Sequence, residues 1–406
     1  MKQKLLKHLL LLVLSGSCSV MFYDGLSAQN CIPTSINGRV IDMVCPQTCS
    51  DFIFQIPHIK SSSDYRVNSI PYTPYPYVTA GGVELSSVYI DDFFSPVIAM
   101  PFTFCFYGAE YNNCVIGSNG IITFDPTNAN TINAWRLTND PAELIPQPIP
   151  YSGGIQDDNQ VAYYPRASIM GAYHDIYPLI TGAGQRRVEY SIVGTAPCRK
   201  FIVSYFQVPM YGSGPCNAML CTEQMVLHES TGIIDVYLGE KPTCVSWNQG
   251  LAILGLQNWG QDDAVWAPGK NCTIWNESQM GYSFIPSGTG SRFVSATMHT
   301  LGGALVATAD TITTTAGLLD LRFLNFCPPS GSNQYEIRTT FSSCSDPAIQ
   351  LVSLDTIKIN RTNDLYATAA TTNSSCGPPS GSLLLLFRQV QVRRHLRMSL
   401  MAGRRL

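Results

Sequence analysis

The chain has 406 residues, of which 13% are charged and 45% hydrophobic, and its net charge is −3. The first 28 and the last 24 residues together hold nine basic residues and one acidic residue, which leaves 16 basic against 27 acidic residues in the body. A body this acidic, without a basic stripe, excludes nucleic acid as a partner. The hydrophobic fraction excludes an intrinsically disordered chain.

The amino terminus has the composition of an export signal. Lys2, Lys4 and Lys7 precede a short apolar run, and small residues stand before Gln29. The apolar run is too short to cross a bilayer as a helix. We therefore predict a secreted or cell-surface protein whose mature chain begins at Gln29. The alternative is a lipoprotein signal in which Cys18 is acylated.

The body of the chain shows the pattern of β-strands. Runs of β-branched and aromatic residues recur from residues 52–56 to residues 282–285, with Gly, Pro, Asn and Asp between them. No sustained 3.6-residue apolar period occurs between the signal and the last 24 residues. These patterns predict an all-β protein, with a large β-sandwich or barrel-like domain followed by a partial immunoglobulin-like β-sandwich module.

Composition divides the chain into six predicted segments. They are a signal peptide (1–28), a β segment packed on the main domain (29–95), the main domain (96–286), a flexible linker rich in Gly and Ser (287–292), the immunoglobulin-like module (293–382) and a basic tail (383–406). We expect the module to be cut off near Gly381 without its closing strands, and the tail to lie outside the fold. A basic amphipathic helix on a membrane surface is the alternative for the tail.

Fourteen cysteines are typical of an oxidising compartment. No two of them have the C-x-x-C spacing of a zinc site, and the chain has only six histidines, so we expect disulfide bonds. The sequence leaves most of the connectivity open, and the odd number expected in the mature chain leaves at least one cysteine without an internal partner. The candidates for disulfide bonds are Cys105, Cys114, Cys216, Cys221, Cys244 and Cys272.

Residues 116–121 (IGSNGI) predict a tight turn between two apolar strands, in which Asn119 and Gly120 supply positive φ angles. Cys105 and Cys114 would then lie on adjacent strands. We predict a Cys105–Cys114 disulfide bond.

Several stretches of the body together carry a family resemblance. They are residues 70–74 (IPYTP), 101–108 (PFTFCFYG), 115–120 (VIGSNG), 170–176 (MGAYHDI), 194–201 (GTAPCRKF) and 257–260 (QNWG). The region from about residue 31 to 286 resembles the amino-terminal part of large gliding-motility-associated cell-surface proteins of Bacteroidota and shares the pattern of the nidogen-like (NIDO) extracellular module. The resemblance implies an array of β modules and, for a full-length protein with a sorting domain, export by the type IX secretion machinery.

Acidic residues stand together, or beside a histidine, at four places. These are Asp91-Asp92, Asp157-Asp158, His174-Asp175 and Asp262-Asp263. Ca²⁺ takes six to eight oxygen ligands, but no D-x-[DN]-x-[DN]-G loop is present. We therefore expect no cofactor, with Ca²⁺ as the alternative. Asp175 is the most distinctive of these residues, and we expect a buried carboxylate that accepts hydrogen bonds from backbone amides.

No sequence motif indicates catalysis, since neither G-x-S-x-G nor H-E-x-x-H occurs, and we expect no enzymatic activity. Aromatic residues that can stack on a ligand occur late in the main domain; packing in the core and loops is the alternative. They are Trp247, Trp259, Trp266 and Trp275. Asp310-Thr311-Ile312 and Asp355-Thr356-Ile357 resemble the short O-glycosylation motif of Bacteroidota, which marks Thr311 and Thr356.

Together these observations predict a secreted structural or adhesive protein of the cell surface that belongs to a gliding or surface-adhesion apparatus. Its partner would be an extracellular surface, a matrix or a glycan. A glycan-binding, lectin-like module is the alternative.

Overall fold

The structure is a computed structural model. It describes residues 36–388 with gaps at 45–46, 141, 143–146, 158–159, 182–183, 213, 315–316, 345–346, 349, 362–365 and 372–382. The predicted signal, the expected start at Gln29, Gly381 and tail residues 389–406 lie outside the described residues.

The described residues form β-strands and short 3₁₀ helices without an α-helix, which confirms the all-β prediction. The strands in the first half are β1 (Val40–Met43), β2 (Ser50–Pro57), β3 (Tyr65–Ile70), β4 (Val83–Glu84), β5 (Ile98–Phe106), β6 (Ala109–Gly117), β7 (Ile121–Thr123), β8 (Gly154–Asp157), β9 (Gln160–Tyr163), β10 (Ser168–Tyr173), β11 (Arg187–Val193) and β12 (Lys200–Pro209). The strands in the second half are β13 (Leu220–His228), β14 (Ile234–Lys241), β15 (Leu251–Gln257), β16 (Ala264–Trp266), β17 (Thr273–Ile274), β18 (Glu277–Pro286), β19 (Phe293–Thr300), β20 (Leu305–Thr308), β21 (Asp310–Thr313), β22 (Leu318–Phe326), β23 (Gly331–Ser342), β24 (Gln350–Arg361), β25 (Tyr366–Thr371) and β26 (Leu383–Arg388). The 3₁₀ helices are Ser86–Val88, Pro126–Asn128, Cys216–Ala218 and Asn248–Gly250.

Two seven-stranded sheets form the large domain, which extends from β3 to β18. The first sheet has the order β16-β15-β10-β7-β6-β5, with β17 on β15, and the second has the order β3-β18-β14-β13-β12-β11-β4. Their facing sides enclose a core that includes Phe104, Phe124, Phe201 and Phe284. In β5 buried and more exposed residues alternate from Ile98 to Phe104, as expected for a strand with one face on a core.

Other segments of the large domain cover the outer faces of both sheets. Ile121 and Ile253 pack outside the first sheet, while Ile202 and Val226 pack outside the second, beneath the Tyr-rich segment 70–77. Strands covered on both faces need apolar residues at successive positions. This explains why runs such as residues 201–206 show no alternation in the sequence.

A second, smaller sandwich follows, which we call the small module. Its sheets have the orders β1-β24-β23-β19-β20 and β2-β22-β21, and its core includes Phe54, Phe323, Ile337 and Ile357. β1 pairs in parallel with β24, and β2 pairs in antiparallel with β22. The amino-terminal strands β1 and β2 therefore complete the two sheets of the small module. The sequence had predicted that this module would lack its closing strands.

The predicted segment 29–95 is therefore wrong as a unit. β1 and β2 belong to the small module, whereas β3 pairs with β18 and β4 pairs with β11 inside the large domain. The boundary predicted at residue 96 is wrong for the same reason. An alternating strand shows which of its faces is buried, but it does not show against which sheet that face packs.

Residues 287–292 are not a flexible linker. The backbone amides of Ser287 and Gly288 donate to carbonyl oxygens in the segment between β2 and β3. The buried Arg292 guanidinium donates to the carbonyl oxygen of Thr231 (2.9 Å) in the large domain and to that of Ser342 (3.0 Å) in the small module. Gly and Ser allow many backbone conformations, but here hydrogen bonds with distant residues select one of them.

Three disulfide bonds lie within the described residues, Cys49–Cys327, Cys105–Cys344 and Cys216–Cys244, and Cys198 is also disulfide-bonded. The existence of disulfide bonds is confirmed. Cys49–Cys327 lies within the small module and Cys216–Cys244 within the large domain. Cys105–Cys344 joins the two.

The predicted Cys105–Cys114 bond is wrong. In the β5–β6 pair, Cys105 lies opposite Glu110 and Cys114 lies opposite Ile98, so the two cysteines are not cross-strand neighbours. Among the other candidates, Cys114, Cys221 and Cys272 are buried free cysteines. A short spacing in the sequence therefore does not identify the disulfide partner, because strand register and sheet packing decide which sulfur atoms meet.

The predicted unfolded tail is wrong for its first residues. β26 (Leu383–Arg388) pairs antiparallel with β25 (Tyr366–Thr371). The apolar run at the start of the tail is therefore a strand. The prediction that residues 383–406 lie outside the fold fails for residues 383–388. In the part of the chain that the structure describes, no helix combines the length and apolar character needed to cross a bilayer.

Candidate functional site

Three aspartates from distant parts of the large domain meet at one end of the first sheet. Asp91 and Asp92 lie in the loop between β4 and β5, and Asp175 lies two residues after the end of β10. One carboxylate oxygen of each residue lies within 4.8 Å of those of the other two. We call these three residues the carboxylate cluster. The prediction had singled out all three residues but had not placed them together.

Asn119, in the turn between β6 and β7, holds both parts of the carboxylate cluster. Its side-chain Nδ2 donates to Asp92 Oδ1 (2.9 Å), and its Oδ1 accepts from the backbone N–H of Ile176 (3.2 Å). Gly120 has the predicted positive φ (76°), but Asn119 does not. Asn119 is instead a fully buried residue that orients the carboxylate cluster.

Asp175 is 3% exposed. Its Oδ2 accepts a hydrogen bond from the indole Nε1 of Trp247 (2.6 Å), and its Oδ1 has no hydrogen-bond partner. The prediction that this carboxylate accepts from backbone amides is therefore wrong. Burial, and then the charge of Asp92, raise the pKa of Asp175 well above its ordinary value, and burial raises the pKa of Asp92 to about 7.

An aromatic cluster lies beside Asp175. The Trp247 ring stacks on Trp135 (5.6 Å between centroids) and packs against Tyr211 (4.8 Å), which in turn contacts Tyr177 (4.8 Å). All four rings are partly exposed. Sequence reasoning identified only Trp247, because Trp135 is isolated in sequence from the other tryptophans. The only signal available for Tyr177 was its place two residues after Asp175.

The other predicted ligand-binding tryptophans do not join Trp247. Trp275 is 8% exposed and packs in the core, with the ammonium groups of Lys241 and Lys270 each 4.6 Å from its ring. Trp259 (44% exposed) and Trp266 (40% exposed) lie on the β15–β16 hairpin. No ring contact joins any two of the four among the described residues. The four tryptophans are therefore near one another in sequence but do not form one aromatic cluster, and ligand binding by Trp259, Trp266 or Trp275 stays a prediction.

Trp259 lines an open cleft of about 470 Å³, here named the Trp259 cleft. The guanidinium of Arg166 lies over its ring at 5.8 Å. The remaining lining is mostly polar and includes Asp125, Asn128 and Gln261. An exposed aromatic ring surrounded by hydrogen-bonding groups is suited to a polar ligand with one apolar face.

A second group of titratable side chains is closed inside the core of the large domain. His174 Nε2 lies 3.2 Å from Cys221 Sγ, and the His174 Nδ1 contacts the carbonyl oxygen of Ala172. Burial lowers the pKa of His174 to about 3 and raises that of Glu223 to about 8. Burial also lowers the pKa of Lys241 to about 8. These groups face the space between the two sheets.

The two candidate O-glycosylation sites differ in accessibility. Thr311 is exposed on β21. Thr356 is half-buried on β24, where its backbone N–H donates to Asn37 Oδ1 (3.0 Å). Thr311 is therefore the more accessible of the two, and modification of either residue stays a prediction.

A family model described as NIDO related matches residues 64–280, which is more than half of the chain. The chain belongs to the nidogen-related family. The matched region begins before the predicted boundary at residue 96, as the pairing of β3 and β4 in the large domain requires. No curated protein and no solved structure matches the chain significantly.

The nidogen-related domain contains both the carboxylate cluster and the Trp259 cleft. Its family and the disulfide bonds indicate an extracellular module with a structural or adhesive role. Of the predicted resemblance, the nidogen-like part is confirmed.

Proposed function

We propose that this chain is a secreted, non-enzymatic adhesive protein of the bacterial cell surface, part of a gliding or surface-adhesion apparatus. It would leave the cell by means of the signal in residues 1–28, and its full-length form would use the type IX secretion machinery. Its partner is an extracellular surface or matrix.

The observation that carries this proposal is the way the nidogen-related domain and the small module are fastened together. Cys105–Cys344 joins them covalently, and Arg292 donates to carbonyl oxygens of both. Arg66 of β3 adds a hydrogen bond from Nη2 to the carbonyl oxygen of Gly317 (2.6 Å) in the small module. A joint with a covalent bond resists separation when force acts along the chain, which suits a protein that holds a cell to a surface.

The proposal is tested by displaying the chain on a non-adherent bacterial host and measuring attachment to glass and to matrix-coated surfaces under flow. We expect attachment above that of the host alone. A variant with Cys105→Ser and Cys344→Ser should attach under static conditions but detach at lower flow. The proposal would be contradicted if, on all surfaces tested, the displaying cells attached no better than the host alone.

Glycan binding is a second candidate function, and the Trp259 cleft is the observation that favours it. Replacing Trp259 by alanine should weaken binding to any glycan recognised on an array by about tenfold or more, since buried contacts with an aromatic anchor carry much of the binding energy. Trp266→Ala is the matched control, because Trp266 is similarly exposed but does not line the cleft. Absence of discrete glycan hits, or equal losses in both variants, would exclude the cleft as a glycan site.

A further inference from the structure

The carboxylate cluster differs from an ordinary group of acidic residues in its burial and in its lack of compensation. Asp175 is 3% exposed, and its Oδ1 has no hydrogen-bond partner. One oxygen of its carboxylate lies within 4.8 Å of an oxygen of Asp91 and of an oxygen of Asp92. Oδ1 of Asp91 also lacks a hydrogen-bond partner. Among the described residues, no lysine or arginine forms an ion pair with any of the three.

Carboxylates removed from water need a partner, because desolvation of an uncompensated charge costs several kcal/mol. Three carboxylates with oxygens within 4.8 Å of one another add repulsion to that cost. Two kinds of partner satisfy such a group: protons shared among the oxygens, or a bound cation. The two leave different signatures in a binding experiment.

We propose that Asp91, Asp92 and Asp175 bind a Ca²⁺ ion. Ca²⁺ lies about 2.3–2.6 Å from its oxygen ligands, so oxygens on opposite sides of one ion are about 5 Å apart. The separation of the carboxylate oxygens, within 4.8 Å, fits that span. Mg²⁺ has shorter bonds, about 2.1 Å, and usually keeps several waters and only one or two carboxylates as ligands.

The surroundings of the carboxylate cluster fit a metal site as well. Asn119 orients Asp92 and Trp247 orients Asp175, as residues behind metal ligands commonly do. Asp91 and Asp92 are partly exposed, which leaves room for water to complete the six to eight ligands of the ion. The ion would connect the β4–β5 loop to the segment after β10. This inference does not depend on the proposed adhesive function.

Calcium binding is tested on the full chain after treatment with a chelator. Isothermal titration with CaCl₂ should show one ion per chain, with a Kd of about 10⁻⁴–10⁻³ M as in other extracellular modules. Tb³⁺ should occupy the same site and emit when tryptophan is excited, because Trp247 contacts Asp175 directly. Added Ca²⁺ should quench that emission by competition.

Four substitutions make the test specific. Asp92→Asn and Asp175→Asn should each weaken Ca²⁺ binding at least tenfold and abolish the sensitised emission. Asp263→Asn, in an exposed acidic pair, should leave both unchanged. Asp91→Asn provides a partly exposed alternative if Asp175→Asn fails to fold. Lack of Ca²⁺ binding by the wild-type chain would overturn the proposal and indicate shared protons. Binding that survives in the folded Asp92 and Asp91 variants would also overturn it, because the ion would then bind elsewhere.

Discussion

Replacing Cys105 and Cys344 together by serine is expected to lower the free energy of unfolding by about 4 kcal/mol. With Cys49–Cys327 intact, the Cys105–Cys344 bond closes a loop of about 70 residues, because the chain can return through the other bond. The relation between loop length and the entropy of the unfolded chain gives that magnitude. The bond also joins the nidogen-related domain to the small module, so its loss should separate their unfolding.

Urea denaturation followed by tryptophan fluorescence measures this effect, because all five tryptophans belong to the nidogen-related domain, whereas far-ultraviolet circular dichroism reports on both parts. In the variant the two signals should give different midpoints. The matched control is Cys216→Ser with Cys244→Ser, which removes a bond within the nidogen-related domain and should leave the joint intact. Coincident transitions with a loss below about 1 kcal/mol in the Cys105/Cys344 variant would show that the bond does not couple the two parts.

Acidification from pH 6.5 to pH 3 is expected to remove roughly 4 kcal/mol of stability through His174 alone. Burial, and then the charge of Lys241, lower the pKa of this histidine from 6.5 to about 3 in the folded protein. Between these values the unfolded chain binds a proton that the folded chain does not bind. The contribution of His174 to the free energy of unfolding is therefore fully present above pH 6.5 and is lost as the pH decreases towards 3.

Other buried groups act in the opposite direction, so the variant comparison is essential. Burial raises the pKa values of Asp92 and Glu223, and for these groups the folded chain takes up protons first as the pH falls. Subtracting the stability curve of His174→Gln from that of the wild type isolates the histidine. Urea unfolding at pH 7, 5 and 4 should show a difference that changes with pH. His299→Gln, near the end of β19 in the small module, is the control for a histidine-to-glutamine change outside the core of the large domain. A parallel curve for His174→Gln would contradict the assignment.

The sequence by itself determined the strands and the family. Residues 98–104 alternate between apolar and smaller or polar residues, and alternation is a local property of a chain with two residues per pleat. The stretches from IPYTP to QNWG likewise indicated the nidogen-like module, which the family match at residues 64–280 confirms. The oxidising compartment followed from the cysteine count, since the number of thiols does not depend on which of them meet.

Only the tertiary structure decided which distant parts come together. β2 pairs with β22 rather than with the large domain, Cys105 meets Cys344 rather than Cys114, and Asp92 meets Asp175 across more than eighty residues. Each outcome depends on the register of strand pairing and on how two sheets pack. An apolar face can pack on many other apolar faces at similar free energy, so local patterns leave the partner open. The partner is selected by all the contacts of the two cores together, because only one arrangement of the strands satisfies them at the same time.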